Sequence, residues 1–179
     1  SGDGDPLAVQ AVTVDGGTEF SFVGVWATDC LNQGIFSSTD LQIKMTTQQT
    51  LISEFTYADP NCVFKLAEYE MSLASAFKVG ERHKTLKDTF KIVGSDSKSV
   101  ERIRPLSKDG LDMMNSDKAY GKANWAKSTW QDITGIEYDG MPSPAEDDSG
   151  ARGNLIKIDA KNNRFKMGDI DGPLDDEGY

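Results

Sequence analysis

Apolar residues recur at every second position in several short runs of this chain, and that period rules out a helical fold for most of it. Leu41, Ile43 and Met45 alternate with Gln42 and Lys44, and Leu51, Phe55 and Tyr57 share a side with Ser53 against Ile52, Glu54 and Thr56. The longest run places Tyr69, Met71, Leu73, Ser75, Phe77 and Val79 opposite Glu68, Glu70, Ser72, Ala74, Ala76 and Lys78. Successive side chains of a strand point to opposite faces, whereas a helix repeats near 3.6 residues. The polar residues 46–49 join the first two runs as a hairpin.

The remaining elements fit the same pattern. An edge strand is expected near Leu7, Val9 and Ala11, closed by the Asp15-Gly16-Gly17 turn. Phe20, Phe22, Gly24 and Trp26 make a strand in which Gly24 leaves room for Trp26 or another backbone to approach. Phe64 and Leu66 lie on the opposite parity from Tyr69, so a bulge is expected at residues 65–67. Leu86, Phe90 and Ile92 follow a basic turn holding Arg82, His83 and Lys84. After a Gly94-Ser95-Asp96 turn, residues 100–103 form another strand. Ser107 caps one short helix that includes Leu111 and Met114, is weakened by Gly110 and ends near Gly121. A strand over residues 132–136 and an exposed loop over 140–153 come next. A final hairpin pairs Leu155, Ile156 and Ile158 with Phe165 and Met167 across the polar residues 160–163.

Strands at short spacing with no helix between them predict an all-β antiparallel barrel or sandwich. The 179 residues suit one domain, which at this size buries roughly two-thirds of its unfolded surface. Residues 1–17 are assigned to a flexible leader with the edge strand, and residues 18–179 to a single β-barrel domain. No apolar run approaches the roughly 20 residues of a membrane-spanning helix. A net charge of −10 repels phosphate backbones and anionic lipids, so nucleic acid is excluded as a partner.

The two cysteines, Cys30 and Cys62, each sit just beyond a strand-like run, where the ends of neighbouring strands meet. Joined, they close a loop worth about 3 to 4 kcal/mol in the chain-entropy model. Together with the single histidine they do not supply four zinc ligands. His83, flanked by cations in a turn, is expected to face solvent and to hold neither haem nor a proton-transfer role. Asp169-Ile170-Asp171-Gly172 begins like a calcium loop, but Pro173 takes the next ligand position and the motif is assigned to an acidic turn. No Gly-x-Ser-x-Gly or partnered base occurs. These features imply no metal, no cofactor and no enzyme.

Trp26-Ala27-Thr28-Asp29-Cys30, Tyr57-Ala58-Asp59-Pro60-Asn61-Cys62 and Asn163-Arg164-Phe165-Lys166-Met167-Gly168 resemble a group of bacterial surface or periplasmic lipoproteins with a lipocalin-like barrel. Gly24-Val25-Trp26 is similar to the Gly-x-Trp of lipocalins. The resemblance implies an up-and-down lipocalin-like barrel with one short helix, at the periplasm, outer membrane or cell surface of a bacterium. Any membrane attachment would come through an N-terminal lipid anchor outside this chain.

Two function classes follow. In the first, a non-enzymatic cell-envelope lipoprotein domain binds a small apolar or amphipathic ligand against Leu51, Phe55, Tyr69, Met71, Leu73 and Phe77, with Trp26 at the closed end. In the second, the barrel is solid and its loops, notably residues 140–153, dock a protein or glycan.

Overall fold

The computed structural model describes residues 9–93, 98–137 and 154–168. The chain is all-β and antiparallel, with one α-helix among the described residues. Its larger sheet is built on the alternating runs: β5 (Ser37–Met45), β6 (Thr50–Tyr57), β7 (Lys65–Leu73) and β10 (Ser99–Pro105) pair in spatial order 5-6-7-10. The expected hairpin turn forms between β5 and β6, where Thr46 Oγ1 accepts from the backbone N–H of Gln48 and Gln49 at 3.2 and 2.9 Å. One edge of this sheet is shared by β3 (Gly24–Ala27) and β4 (Leu31–Gly34), both paired with β5, and the other is the short β11 (Gln131–Asp132).

The run from Tyr69 to Val79 is not one strand. β7 ends at Leu73 because its partner Thr50 is the first residue of β6, so no ladder continues beyond it. The chain then crosses to a second sheet, β8 (Val79–Arg82), β9 (Thr89–Ile92), β12 (Leu155–Asp159) and β13 (Arg164–Met167), in order 8-9-12-13. The final hairpin forms as expected. Val79 exchanges both backbone hydrogen bonds with Val9, at 2.8 and 2.9 Å. The hairpin of β1 (Ala11–Thr13) and β2 (Glu19–Ser21) forms the third sheet. Among the described residues none of the three sheets closes into a barrel.

The expected strand through Phe20 and Trp26 is also divided, with β2 on β1 and β3 on β5. Gly24 stands at the break with φ +150°, and nothing lies within 4 Å of where its Cβ would be. Its role is therefore conformational and not the close approach expected from the alternation. The bulge is present: pairing shifts from Tyr57 with Lys65 to Thr56 with Ala67, leaving Leu66 as the extra residue.

Two apolar cores result. Phe20, Phe22, Met45, Val79, Phe90 and Ile156 form the first, with Trp26, Phe77 and Phe165 packed against it. Val12 and Val14 belong to this core as well, so that part of the expected leader is folded structure, while residues 1–8 lie outside the described range. Ala67, Met114, Trp125 and Ile133 form the second beneath α1 (Lys108–Ser116). Ser107 Oγ caps that helix by accepting from Gly110 N–H at 3.0 Å. The helix stops at Ser116, short of Gly121, because Lys118 and Tyr120 take left-handed backbone angles, φ 48° and 55°. Of the expected strand over 132–136 only Asp132 pairs with β10, together with Gln131 before it, since Thr134 turns its hydroxyl to the Glu101 N–H at 2.9 Å. The expected turn at 94–96, the loop over 140–153 and the acidic turn at 169–172 lie outside the described residues.

Candidate functional site

The six residues expected to share one lining fall in separate environments. Leu51 stands opposite Ser72 and Phe55 opposite Glu68, whereas Met71 stands opposite Ile52 and Tyr69 opposite Glu54. Leu51 and Phe55 are therefore on one face of the larger sheet, and Tyr69, Met71 and Leu73 on the other. The Leu66 bulge is the cause. Without it Leu51 would oppose Met71, and a one-residue shift carries every side chain of the strand to the opposite face. Phe77 has left the sheet altogether and lies 5.4 Å from Phe22, ring to ring, in the first core.

Polar groups occupy both faces. On the first, Arg104 pairs with Glu68 at 2.7 Å and Arg102 with Glu70 at 2.6 Å, and both guanidinium carbons lie within 4.3 Å of the Trp130 ring centroid. Lys65 Nζ lies 4.5 Å from the Phe55 centroid. On the second face Tyr69 donates its hydroxyl to Glu101 Oε1 at 2.5 Å. Burial, reinforced by Glu101, pushes the Tyr69 hydroxyl well above its ordinary value. Burial likewise raises the Glu54 carboxyl. These cross-strand pairs were legible only as Glu-x-Glu and Arg-x-Arg alternation, which does not say that the two strands are neighbours.

His83 is buried, contrary to the solvent-facing position expected for it. Its Nδ1 accepts from the N–H of Thr85 and Leu86 at 3.2 and 3.1 Å, so the ring organises its own turn.

The end of the larger sheet that carries Cys30 and Cys62 combines exposure with covalent and hydrogen-bonded ties. The two are joined, with Cα atoms 5.9 Å apart, across strand β5. Ser38 Oγ donates to the Asp59 carbonyl at 2.5 Å and accepts from Cys62 N–H at 3.0 Å. The Asp59 carboxylate accepts from the N–H of Asn61, Val63 and Phe64 at 2.8 to 3.1 Å. Against the desolvation that pushes this carboxyl up, those backbone donors hold it below its usual range. The rigid end nevertheless leaves large apolar side chains in solvent. Ile35 and Phe36, at the β4–β5 tip, are 75% and 76% exposed, and Val63 and Phe64, in the β6–β7 connection, are 63% and 67% exposed. Leu31, at the start of β4, is exposed as well. No charged residue occurs between Asp29 and Asp40 or between Asp59 and Lys65. That uncharged apolar composition was the available sequence signal, and strand periodicity passes over it because the residues lie at turns.

A disulfide of this kind belongs to an oxidising, extracytoplasmic compartment. Among the described residues no helix is long and apolar enough to cross a membrane. No protein-family model matches the chain, and no curated protein matches it.

Proposed function

We propose that this protein is a non-enzymatic interaction module of the bacterial cell envelope that docks an envelope protein through the disulfide-pinned end of its larger sheet. The observation that carries the reading is the exposure of Ile35, Phe36, Val63 and Phe64 on segments tied down by Cys30–Cys62 and the Asp59 turn. Exposed apolar clusters of this sort mark binding surfaces, and a preorganised one loses little entropy on binding. Asn32, Gln33, Ser37 and Asn61, next to these residues in sequence, are uncharged and suit the polar rim of a protein interface. A net charge of −10 opposes approach to anionic lipid, and the nearby cation Lys65 is already placed over Phe55. These features favour a protein partner over a bilayer.

The small-ligand reading has less support, because its six lining residues are divided between two faces and a core. The resemblance to envelope lipoproteins with a lipocalin-like barrel rests on the segments ending at Cys30 and Cys62 and on residues 163–168, and Gly24-Val25-Trp26 adds only its similarity to the Gly-x-Trp of lipocalins. Placement in the periplasm or at the cell surface, with a lipid anchor outside this chain, belongs to the same reading.

A photoreactive benzoylphenylalanine placed at position 36, or at exposed Val100 as control, tests the docking surface in producing cells. The expected result is one discrete protein adduct from position 36, absent from position 100 and lost when Phe64→Ser is added. Adducts only to lipid, only to a second copy, or equally from both positions would overturn it.

A further inference from the structure

Strands β3 and β4 follow one another along the same side of β5 and form one outer edge of the larger sheet, from residue 24 to residue 34. Thr28, the residue after β3, donates its N–H to the Leu41 carbonyl at 2.9 Å, so its backbone groups face β5. In an antiparallel ladder successive residues turn their backbone groups to alternate sides. Gly24 and Trp26 therefore also face β5. The N–H and C=O of Val25 and Ala27 face away from the sheet, where they have no partner among the described residues. Val25 is 60% exposed, and Ala27 is exposed as well.

An open row of donors and acceptors templates the addition of another strand, so folded chains protect such edges with charges, proline or a covering segment. The other edges of the two larger sheets are protected in this way. β13 carries Arg164 and Lys166, β8 carries Glu81 and Arg82 and is bridged by Val9, and β11 is only Gln131 and Asp132. Residues 24–34 hold no proline, lysine or arginine, and their one charge is Asp29. That carboxylate is exposed and has no salt bridge or hydrogen bond among the described residues. The edge is nevertheless held in shape, since Cys30 ties it to Cys62 and Asn32 Oδ1 accepts from Gly34 N–H at 2.7 Å. It runs directly into the exposed tip at Ile35 and Phe36.

We infer that the protein partner of the disulfide-pinned end adds an extended segment to this edge as a further strand, hydrogen-bonded to Val25 and Ala27 and with a lysine or arginine beside Asp29. The inference rests on the docking function proposed above and names how the partner is held. In strand addition main-chain hydrogen bonds supply affinity and side chains supply specificity. A second copy pairing edge to edge is disfavoured, because each chain carries a net charge of −10 and brings the same unpaired Asp29 to the contact.

The crosslink from benzoylphenylalanine at position 36 in producing cells reads the outcome. Ala27→Pro removes an outward N–H and sets a ring against the incoming strand, while the β3–β5 bonds stay intact because that N–H does not face β5. It should lower the yield of the discrete adduct by about tenfold or more. Ala27→Ser, which keeps the N–H, should leave the yield at the parent level. Asp29→Lys, at an exposed position, should melt like the parent and lower the yield several-fold, and it decides the matter where the proline variant does not accumulate. An adduct undiminished in Ala27→Pro or in Asp29→Lys would overturn the strand addition and leave the docking surface standing. No discrete adduct from position 36 in the parent chain would overturn both.

Discussion

The backbone of Gly110 is seated against Leu66 so closely that a β-carbon added to the glycine would fall 2.0 Å from the Leu66 carbonyl oxygen. The obstacle is backbone, held in place by the bulge and by the Leu106 N–H bond to the same carbonyl at 2.8 Å. In an unconstrained helix Gly→Ala stabilises by about 1 kcal/mol. Here Gly110→Ala is expected to destabilise by about 3 kcal/mol through overpacking, a reversal of sign. Urea denaturation decides it, and a variant as stable as the parent would show that α1 moves away from β7 at little cost.

Removing the Cys30–Cys62 bridge frees a closed loop with a sequence separation of 32. The chain-entropy model puts the loss at about 3 to 4 kcal/mol for the Cys30→Ser, Cys62→Ser variant. Comparison of denaturation midpoints with and without reductant measures the same quantity in the parent. A shift under about 1 kcal/mol would mean that Ser38 and Asp59 hold this end unaided.

Trp26 donates its indole N–H to the Phe22 carbonyl at 2.9 Å and packs 4.6 Å from the Phe165 ring. Trp26→Ala should cost about 3 kcal/mol, the lower end for an aromatic truncation, because the side chain is only half-buried. A loss below about 1 kcal/mol in the same melts would contradict its place in the first core.

Glu54 carries a pH signature. Its carboxyl is raised by burial, so the folded state holds the proton more tightly than the unfolded chain. The stability this contributes is complete below the unfolded value of about 4.3 and is lost as pH rises through the higher folded value. Glu54→Gln is expected to be more stable than the parent at pH 7, with the difference shrinking as pH falls through the raised folded value and gone below about 4. Melting temperatures of both proteins across that range test it, and a constant offset would show that burial does not perturb Glu54.

The exposed tip should be energetically separable from the fold. Ile35→Ser with Phe36→Ser removes side chains that are 75% and 76% exposed, so stability should change by no more than about 0.5 kcal/mol. A larger loss would assign these residues a packing role and weaken the docking proposal.

Local chemistry settled a definite part of this protein. The period-two runs at Leu41 and Leu51, the polar residues between them, the Ser107 cap and the parity break near Leu66 each report on hydrogen bonds and faces within a few residues. Their elements appear where local patterning places them. Only one pairing is available to two cysteines, and it forms.

Tertiary structure decided what those elements do to one another. Alternation tells which residues of one strand share a face, but the face they share with a neighbouring strand depends on register, and a single extra residue at Leu66 put Leu51 and Met71 on opposite sides. A strand also lasts only while another backbone lies beside it, which is why the run from Tyr69 stopped at Leu73 and Phe77 entered a different core. The meeting of Val14, Lys87 and Lys157 at one cleft has the same origin. It joins residues far apart in the chain, and packing surfaces at that separation leave no periodic trace in the residues themselves.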